Sequence, residues 1–92
     1  MQRRKLVAGN WKMMGSRAAL AELEPMAEAA RAHPNVDVLV CPPFTLIERA
    51  AGDFPDLMVG AQDCHENTHG PHTGCVSATM LREVGARAVI VG

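Results

Sequence analysis

The stretch Lys5-Leu6-Val7-Ala8-Gly9-Asn10-Trp11-Lys12 decides the fold of this chain. Its apolar run, Leu6 to Ala8, shows no polar alternation, which is typical of a strand covered on both faces, as in a parallel sheet. Asn10 and Lys12 follow where the strand ends, at the edge where α/β folds place their ligands. A positive charge beside an amide that can donate and accept suits an anionic, oxygen-rich ligand. The alternative interpretation is a solvated lysine in a turn.

Apolar runs and helix-forming segments alternate along the whole chain. The predicted strands are Lys5–Asn10, Val36–Cys41, Leu57–Ala61 and Ala88–Val91. The predicted helices cover 17–32, 45–51 and 77–84. The order βαβαβαβ predicts an α/β fold with four parallel strands, and no composition shift or linker divides residues 1–92 into domains.

Several residues are predicted to begin, end or interrupt these helices. Glu48 completes a capping-box pattern with a threonine three residues earlier. Gly52 is expected to end the second helix. Pro25 removes a backbone donor inside the first helix, so we expect a kink or a break into two short helices. The predicted N-caps are Ser16, Thr45 and Ser77.

Composition and charge exclude several classes of function. The chain has 92 residues and a net charge of −1, with its charged residues interspersed. No basic block suggests a nucleic acid or an acidic membrane surface as a partner. No apolar stretch resembles a signal peptide or a membrane span. Three cysteines, an odd number, favour a reducing compartment and hence the cytoplasm.

The segment 62–75 is a long predicted loop with an unusual density of potential metal ligands. These are Cys64, His65, His69, His72 and Cys75. Tetrahedral zinc sites use these residue types, but the paired Cys-x-x-Cys spacing of common zinc motifs is absent. A metal-holding interaction loop therefore remains an alternative to an ordinary histidine-bearing loop.

The order of motifs resembles one enzyme family over the whole chain. Gly9-Asn10-Trp11-Lys12-Met13 resembles the opening signature of triosephosphate isomerases. Further similar segments follow in the family's order: Val40–Phe44, Gly60–Asp63, His72–Gly74, Ser77–Leu81 and Val89–Gly92. Several motifs in one order are far more specific than any single motif.

The resemblance implies the amino-terminal part of a (β/α)₈ barrel: three βα units and a fourth strand. A complete barrel typically needs about 250 residues. The implied reaction, a step of glycolysis and gluconeogenesis, interconverts dihydroxyacetone phosphate and glyceraldehyde 3-phosphate through an enediolate, without cofactor or metal. The resemblance makes Lys12 catalytic and, with Asn10, substrate-binding. Gln62 matches a position that supports the site by hydrogen bonding.

The same resemblance predicts a homodimer. Thr73 and Gly74 match the tip of a loop that projects into the partner subunit, close to the partner's Asn10. The family usually has Glu after this Thr-Gly, whereas this chain has Cys75, which removes a carboxylate that would pair with an arginine across the interface. Met14 also replaces an amide that is common in the family.

Two catalytic groups of the family have no match in these residues. They are a histidine after the fourth strand and a glutamate after the sixth. We therefore expect residues 1–92 alone to be inactive, and to self-associate or require a complementing fragment because the outer strands would present open edges. Two other functions remain open: a self-assembling half-barrel that binds a small anion without turnover, and the metal-holding loop.

Overall fold

The computed structural model describes residues 3–92 and contains one parallel sheet. Its strands are β1 (Lys5–Asn10), β2 (Val36–Cys41) and β3 (Met58–Val59), in that order across the sheet. β1 and β2 pair in parallel without a break from Lys5↔Val36 to Asn10↔Cys41. This confirms the α/β class, the parallel direction and the bounds of the first two strands.

The fourth predicted strand, Ala88–Val91, is not a strand of this sheet. A single parallel bridge joins Ala61 to Val89. Ala61 N donates to Ala88 O at 2.9 Å, and Ile90 N donates to Ala61 O at 2.9 Å. The segment therefore runs parallel to the residues after the third strand, but it forms a single bridge with them instead of a continuous ladder. The third strand is likewise shorter than its predicted range of 57–61.

The first helical segment breaks in two, as its proline predicted. A 3₁₀ helix covers Ala18–Glu22 and α1 covers Leu23–Ala32. Pro25 is the third residue of α1, where a backbone N–H would have no helical partner. The predicted cap at Ser16 is wrong, because no side chain caps this segment; the backbone carbonyl of Ser16 accepts from Ala19 N instead.

The second helix begins and ends differently from the prediction. A 3₁₀ turn, Phe44–Leu46, starts directly after Pro43 and leads into α2, Ile47–Asp53. Thr45 therefore lies inside helical structure and caps nothing, so the capping box with Glu48 is wrong. Gly52 does not stop the helix, which runs one residue past it.

The third helix confirms its predicted cap. α3 covers Ala78–Glu83, and Met80 N donates to Ser77 Oγ at 3.2 Å. The side-chain oxygen thus satisfies one of the N–H groups that a helix start leaves without a partner.

The hydrophobic core joins one side of the sheet to all three helices. Val40 and Val59 of the sheet are fully buried, at 0% and 1% exposure. The helical members of the same cluster include Leu23, Ala27, Ile47, Ala50 and Leu81. Among the residues that the structure describes, no helix has the length and apolar character needed to cross a membrane.

Candidate functional site

Asn10 and Lys12 lie at the carboxyl end of β1. The unbroken β1–β2 register places Asn10 level with Cys41, the last residue of β2. Trp11 N donates to Cys41 O at 3.1 Å, which continues the pairing one residue past the strand. Lys12 is therefore presented at the rim where two parallel strands end.

The backbone of Lys12 adopts a left-handed conformation. Its φ is +57°, and no other non-glycine residue among 3–92 has a positive φ. This conformation costs a residue with a Cβ about 1 kcal/mol or more. Asn10 Oδ1 offsets part of that cost by accepting a 2.8 Å hydrogen bond from Lys12 N. The asparagine side chain thus fixes the turn that carries the lysine.

Gln62 joins three strand ends. It follows the third strand, and its Nε2 donates to Lys12 O at 2.8 Å and to Cys41 O at 2.9 Å. Both protons of the amide nitrogen are used on main-chain acceptors, so the side chain ties the Lys12 turn to the end of β2. The structure therefore brings Asn10, Lys12 and Gln62 together.

Lys12 brings a positive charge to this rim. The Lys12 side chain is exposed, and none of the ion pairs formed within residues 3–92 includes it. Since no carboxylate there neutralises the ammonium group, it can attract and bind an anion. Two hydrogen-bond donors at this rim make no hydrogen bond within residues 3–92: Lys12 Nζ and the amide nitrogen of Asn10, whose oxygen already accepts from the backbone.

Sequence reasoning missed the contribution of Cys41. Its main-chain carbonyl accepts from both Trp11 N and Gln62 Nε2, which no side-chain pattern could reveal. The location of Cys41 could nevertheless be predicted, because this residue ends the second predicted strand, which follows the first in the parallel sheet. Its thiol is 1% exposed, and burial raises the pKa of that thiol.

Thr73 and Gly74 lie in a separate exposed loop. Cys75 N donates to His72 O at 3.0 Å, and Gly74 has a φ of +86°, the geometry that a type II turn requires at its third residue. No hydrogen bond within residues 3–92 links this tip to Asn10 or Lys12. The tip is exposed and contributes no hydrogen bond to the Asn10 and Lys12 rim within these residues.

The histidines of this loop pack against each other. The His65 and His72 rings stack with centroids 4.0 Å apart. Asn67 spans the pair: its backbone N donates to His65 Nδ1 at 2.9 Å, and its Nδ2 lies 3.0 Å from His72 Nε2. Across the described residues, no three His, Cys, Asp or Glu side chains are grouped so that they could hold a metal ion. The metal alternative therefore gains no support from this loop.

Taken together, the parallel strands and the lysine at their carboxyl ends define a class: a segment of a parallel β/α barrel with a basic site on its rim. The family model described as "Triosephosphate isomerase" matches residues 5–92. The chain belongs to the triosephosphate isomerase family.

Individual relatives agree with this assignment. A triosephosphate isomerase from Ruegeria sp. (strain TM1040) is 56% identical over 89 residues, which cover 97% of this chain and 36% of the relative. A triosephosphate isomerase from Xanthobacter flavus is 53% identical over 93 residues, which cover 99% of this chain and 37% of the relative. The crystal structure of triosephosphate isomerase from Bartonella henselae matches with a TM-score of 0.86 and 42% identity, over 98% of this chain and 38% of that one. The chain thus spans little more than a third of the length of these relatives.

Proposed function

We propose that this chain supplies the lysine portion of an isomerase active site that interconverts dihydroxyacetone phosphate and glyceraldehyde 3-phosphate in the cytoplasm. The observation that carries the proposal is Lys12 at the rim, with its main chain held by two hydrogen bonds and its side chain in no ion pair within residues 3–92, in a chain whose relatives are named triosephosphate isomerase. No cofactor or metal is required by the proposal.

Lys12 and Asn10 have distinct roles in this reaction. The ammonium group of Lys12 stabilises the substrate phosphate and the negative charge that develops on the enediolate oxygen. Asn10 uses its Oδ1 on Lys12 N, so its Nδ2 is the group that donates to a substrate oxygen. Because the backbone of Lys12 and the side chain of Asn10 are held before substrate arrives, less reorganisation is needed as charge develops.

Gln62 acts through Lys12 rather than on the substrate. Its two hydrogen bonds, to Lys12 O and Cys41 O, hold the left-handed turn against the end of β2. We include it in the proposal as a positioning residue.

The proton-transfer groups of the reaction lie outside the residues that match here. None of His33, His65, His69 and His72 matches the family's electrophilic histidine. General acid and base groups contribute typically about 10²–10⁴-fold each. Residues 1–92 produced alone are therefore expected to show no isomerase activity and to associate through the exposed strand β1. A monodisperse monomer in sedimentation, or turnover free of host enzyme, would contradict this.

The proposed partner of the chain is a second copy of the complete enzyme. The exposed tip Thr73–Gly74 would contact the other subunit near its Asn10. Cys75 supplies no carboxylate to that contact, so the dimer is expected to be weaker than one that has the family's usual glutamate.

The decisive experiment places this segment in a complete barrel. Residues 5–92 replace the matching segment of the Ruegeria relative, and the isomerisation of glyceraldehyde 3-phosphate is followed. Lys12→Ala is expected to lower kcat/KM by about 10²–10³-fold or more. Lys5→Ala is the matched control, since Lys5 is an exposed lysine at the opposite end of the same strand.

The outcomes separate the two functions that involve Lys12. An active chimera that loses activity with Lys12→Ala but not with Lys5→Ala supports the isomerase. Equal activity of both variants would refute it. An inactive chimera that is stabilised against heat by inorganic phosphate, and only when Lys12 is present, would support anion binding without turnover instead.

A further inference from the structure

Gly15 makes a close contact that the hydrogen bonds around Lys12 do not explain. A Cβ on Gly15 would lie 2.8 Å from Trp11 Cε3 and 2.9 Å from Trp11 Cζ3, closer than real Cβ atoms approach other heavy atoms. It would also lie 3.3 Å from Leu46 Cδ1. The bare backbone of Gly15 therefore lies directly against the six-membered ring of the indole.

The ring has little room to move away from such a Cβ. Trp11 is half-buried and packs against the hydrophobic core, and its backbone N–H is bonded to Cys41 O. Leu46, on the other side of the contact, is only 5% exposed. Both neighbours of Gly15 are thus held by the core, so a side chain at position 15 would displace the chain of residues 12–15 rather than the ring.

The residues between Trp11 and Gly15 have few other restraints. Met13 and Met14 are 96% and 72% exposed. The only hydrogen bonds that hold this turn within residues 3–92 are those of Asn10 and Gln62 to the main chain of Lys12. The contact of Gly15 with the ring is what closes the turn on its far side.

We propose that Gly15 is a positioning residue for Lys12: its lack of a side chain lets the turn close on the Trp11 ring and so fixes the lysine at the rim. The proposal rests on the proposed isomerase function. Gly15 also has a φ of +117°, which a residue with a Cβ rarely adopts. Two separate effects, the ring contact and the backbone conformation, therefore oppose a substitution, and the experiment must distinguish them.

The test is a double-mutant cycle in the chimera with the Ruegeria relative. Gly15→Ala is expected to lower kcat/KM by roughly 10- to 100-fold and to raise KM, because a displaced Lys12 holds the phosphate poorly. Gly52→Ala is the control: nothing lies within 4 Å of a Cβ there, and Gly52 has no positive φ. It should leave both constants unchanged.

Trp11→Leu removes the ring atoms that the new methyl would strike. If the ring contact positions Lys12, the double variant Gly15→Ala/Trp11→Leu loses less activity than the product of the two single losses, with part of the KM recovered. Strictly multiplicative losses would show that only backbone strain is at work and would overturn the proposal, as would a Gly15→Ala variant with unchanged constants.

The same experiment separates this proposal from the function on which it depends. An inactive chimera with the native segment would refute the isomerase function itself. An active chimera that depends on Lys12 but tolerates Gly15→Ala would refute only the role of Gly15.

Discussion

The neighbouring strands β1 and β2 have the same length and each carries an apolar run, but their surroundings are opposite. Each has six residues and a run of apolar side chains. Leu39 and Val40 of β2 are 6% and 0% exposed, whereas Leu6 and Val7 of β1 are 57% and 59% exposed. β2 pairs on both edges, while β1 pairs on only one edge within residues 3–92. Burial here follows position in the sheet rather than composition.

The candidate site lies at the end of the exposed strand, not the buried one. Its geometry is therefore fixed by hydrogen bonds to neighbouring strand ends more than by packing of β1 itself. Gln62 and the carbonyl of Cys41 make those bonds from β2 and from the segment after β3. The chain separates two tasks: β2 stabilises the fold, and β1 presents the lysine.

The largest expected effect is on stability, from a matched pair of leucines. Leu39→Ala should lower the free energy of unfolding by about 2–5 kcal/mol, because it leaves a cavity in a buried position. Leu6→Ala should cost less than about 1 kcal/mol, since its side chain is already exposed. Urea unfolding of the 92-residue chain, diluted until it sediments as a monomer, measures both. Equal costs would show that β1 is buried in solution.

The next effect concerns the link between the strand ends. Gln62→Met keeps the volume of the side chain but removes both hydrogen bonds to the main chain. A hydrogen bond of this kind contributes about 1 kcal/mol, and the freed Lys12 turn should lower kcat/KM of the chimera by roughly tenfold. Asp63→Asn, at the exposed neighbouring residue, is the control. A Gln62→Met variant as active as the control would show that the turn holds without this link.

A third expectation compares the thiols of the two environments. Burial raises the pKa of Cys41, and its thiolate is the reactive form, so an aromatic disulfide reagent should label it at least about tenfold more slowly than the exposed Cys75. Cys41→Ala and Cys75→Ala variants, each made in a Cys64→Ala background because the chain has a third free cysteine, assign the two rates. Equally fast labelling of Cys41 and Cys75 would show that the end of β2 often becomes exposed to solvent.

The same shift gives a pH dependence of stability. The folded state keeps the Cys41 thiol neutral. The contribution of this thiol to the free energy of unfolding is therefore complete below the ordinary pKa of a thiol, and it is lost as the pH rises through the raised pKa of the folded state. Unfolding of the native chain should therefore become easier at alkaline pH, and by more than unfolding of Cys41→Ala. Parallel pH profiles of the two chains would contradict this.

The smallest effect is expected at the opposite ends of the two strands. Arg4 Nε and Nη2 bond Asp37 Oδ1 at 3.1 and 3.0 Å, and Nη2 also donates to Pro34 O. The pair is exposed, so Asp37→Asn should cost less than about 1 kcal/mol, and less still at high salt. A larger loss would mean that this ion pair sets the β1–β2 pairing.

The sequence was sufficient for the strands that carry the site. The apolar run Leu6–Ala8 located β1, the apolar run before Pro42-Pro43 located β2, and Pro25 located the break before α1. Helix starts were harder to predict. Thr45 has the residue pattern of a capping box, but the helical turn already begins at Phe44, directly after Pro42-Pro43. Local patterns predict well where no neighbouring residue competes.

The site was predictable as residue types but not as geometry. Asn10 ends β1, Lys12 follows β1 and Gln62 follows β3, and the carboxyl ends of these strands lie at the same edge of the sheet, so the proximity of the three residues follows from parallel pairing. The left-handed backbone of Lys12, the carbonyl of Cys41 and the ring contact of Gly15 depend on main-chain atoms, and main-chain atoms are the same for every sequence. No pattern of side-chain types predicts such contacts.

The unbroken register between β1 and β2 has a consequence for how this segment tolerates insertions and deletions. Every residue from Lys5 to Asn10 has a fixed partner on β2. Gaining or losing one residue in that interval would advance or retract the rim lysine by about 3.3 Å and turn the amide before it to the opposite face of the sheet. We therefore expect insertions and deletions to be tolerated before Lys5 but not within the paired interval.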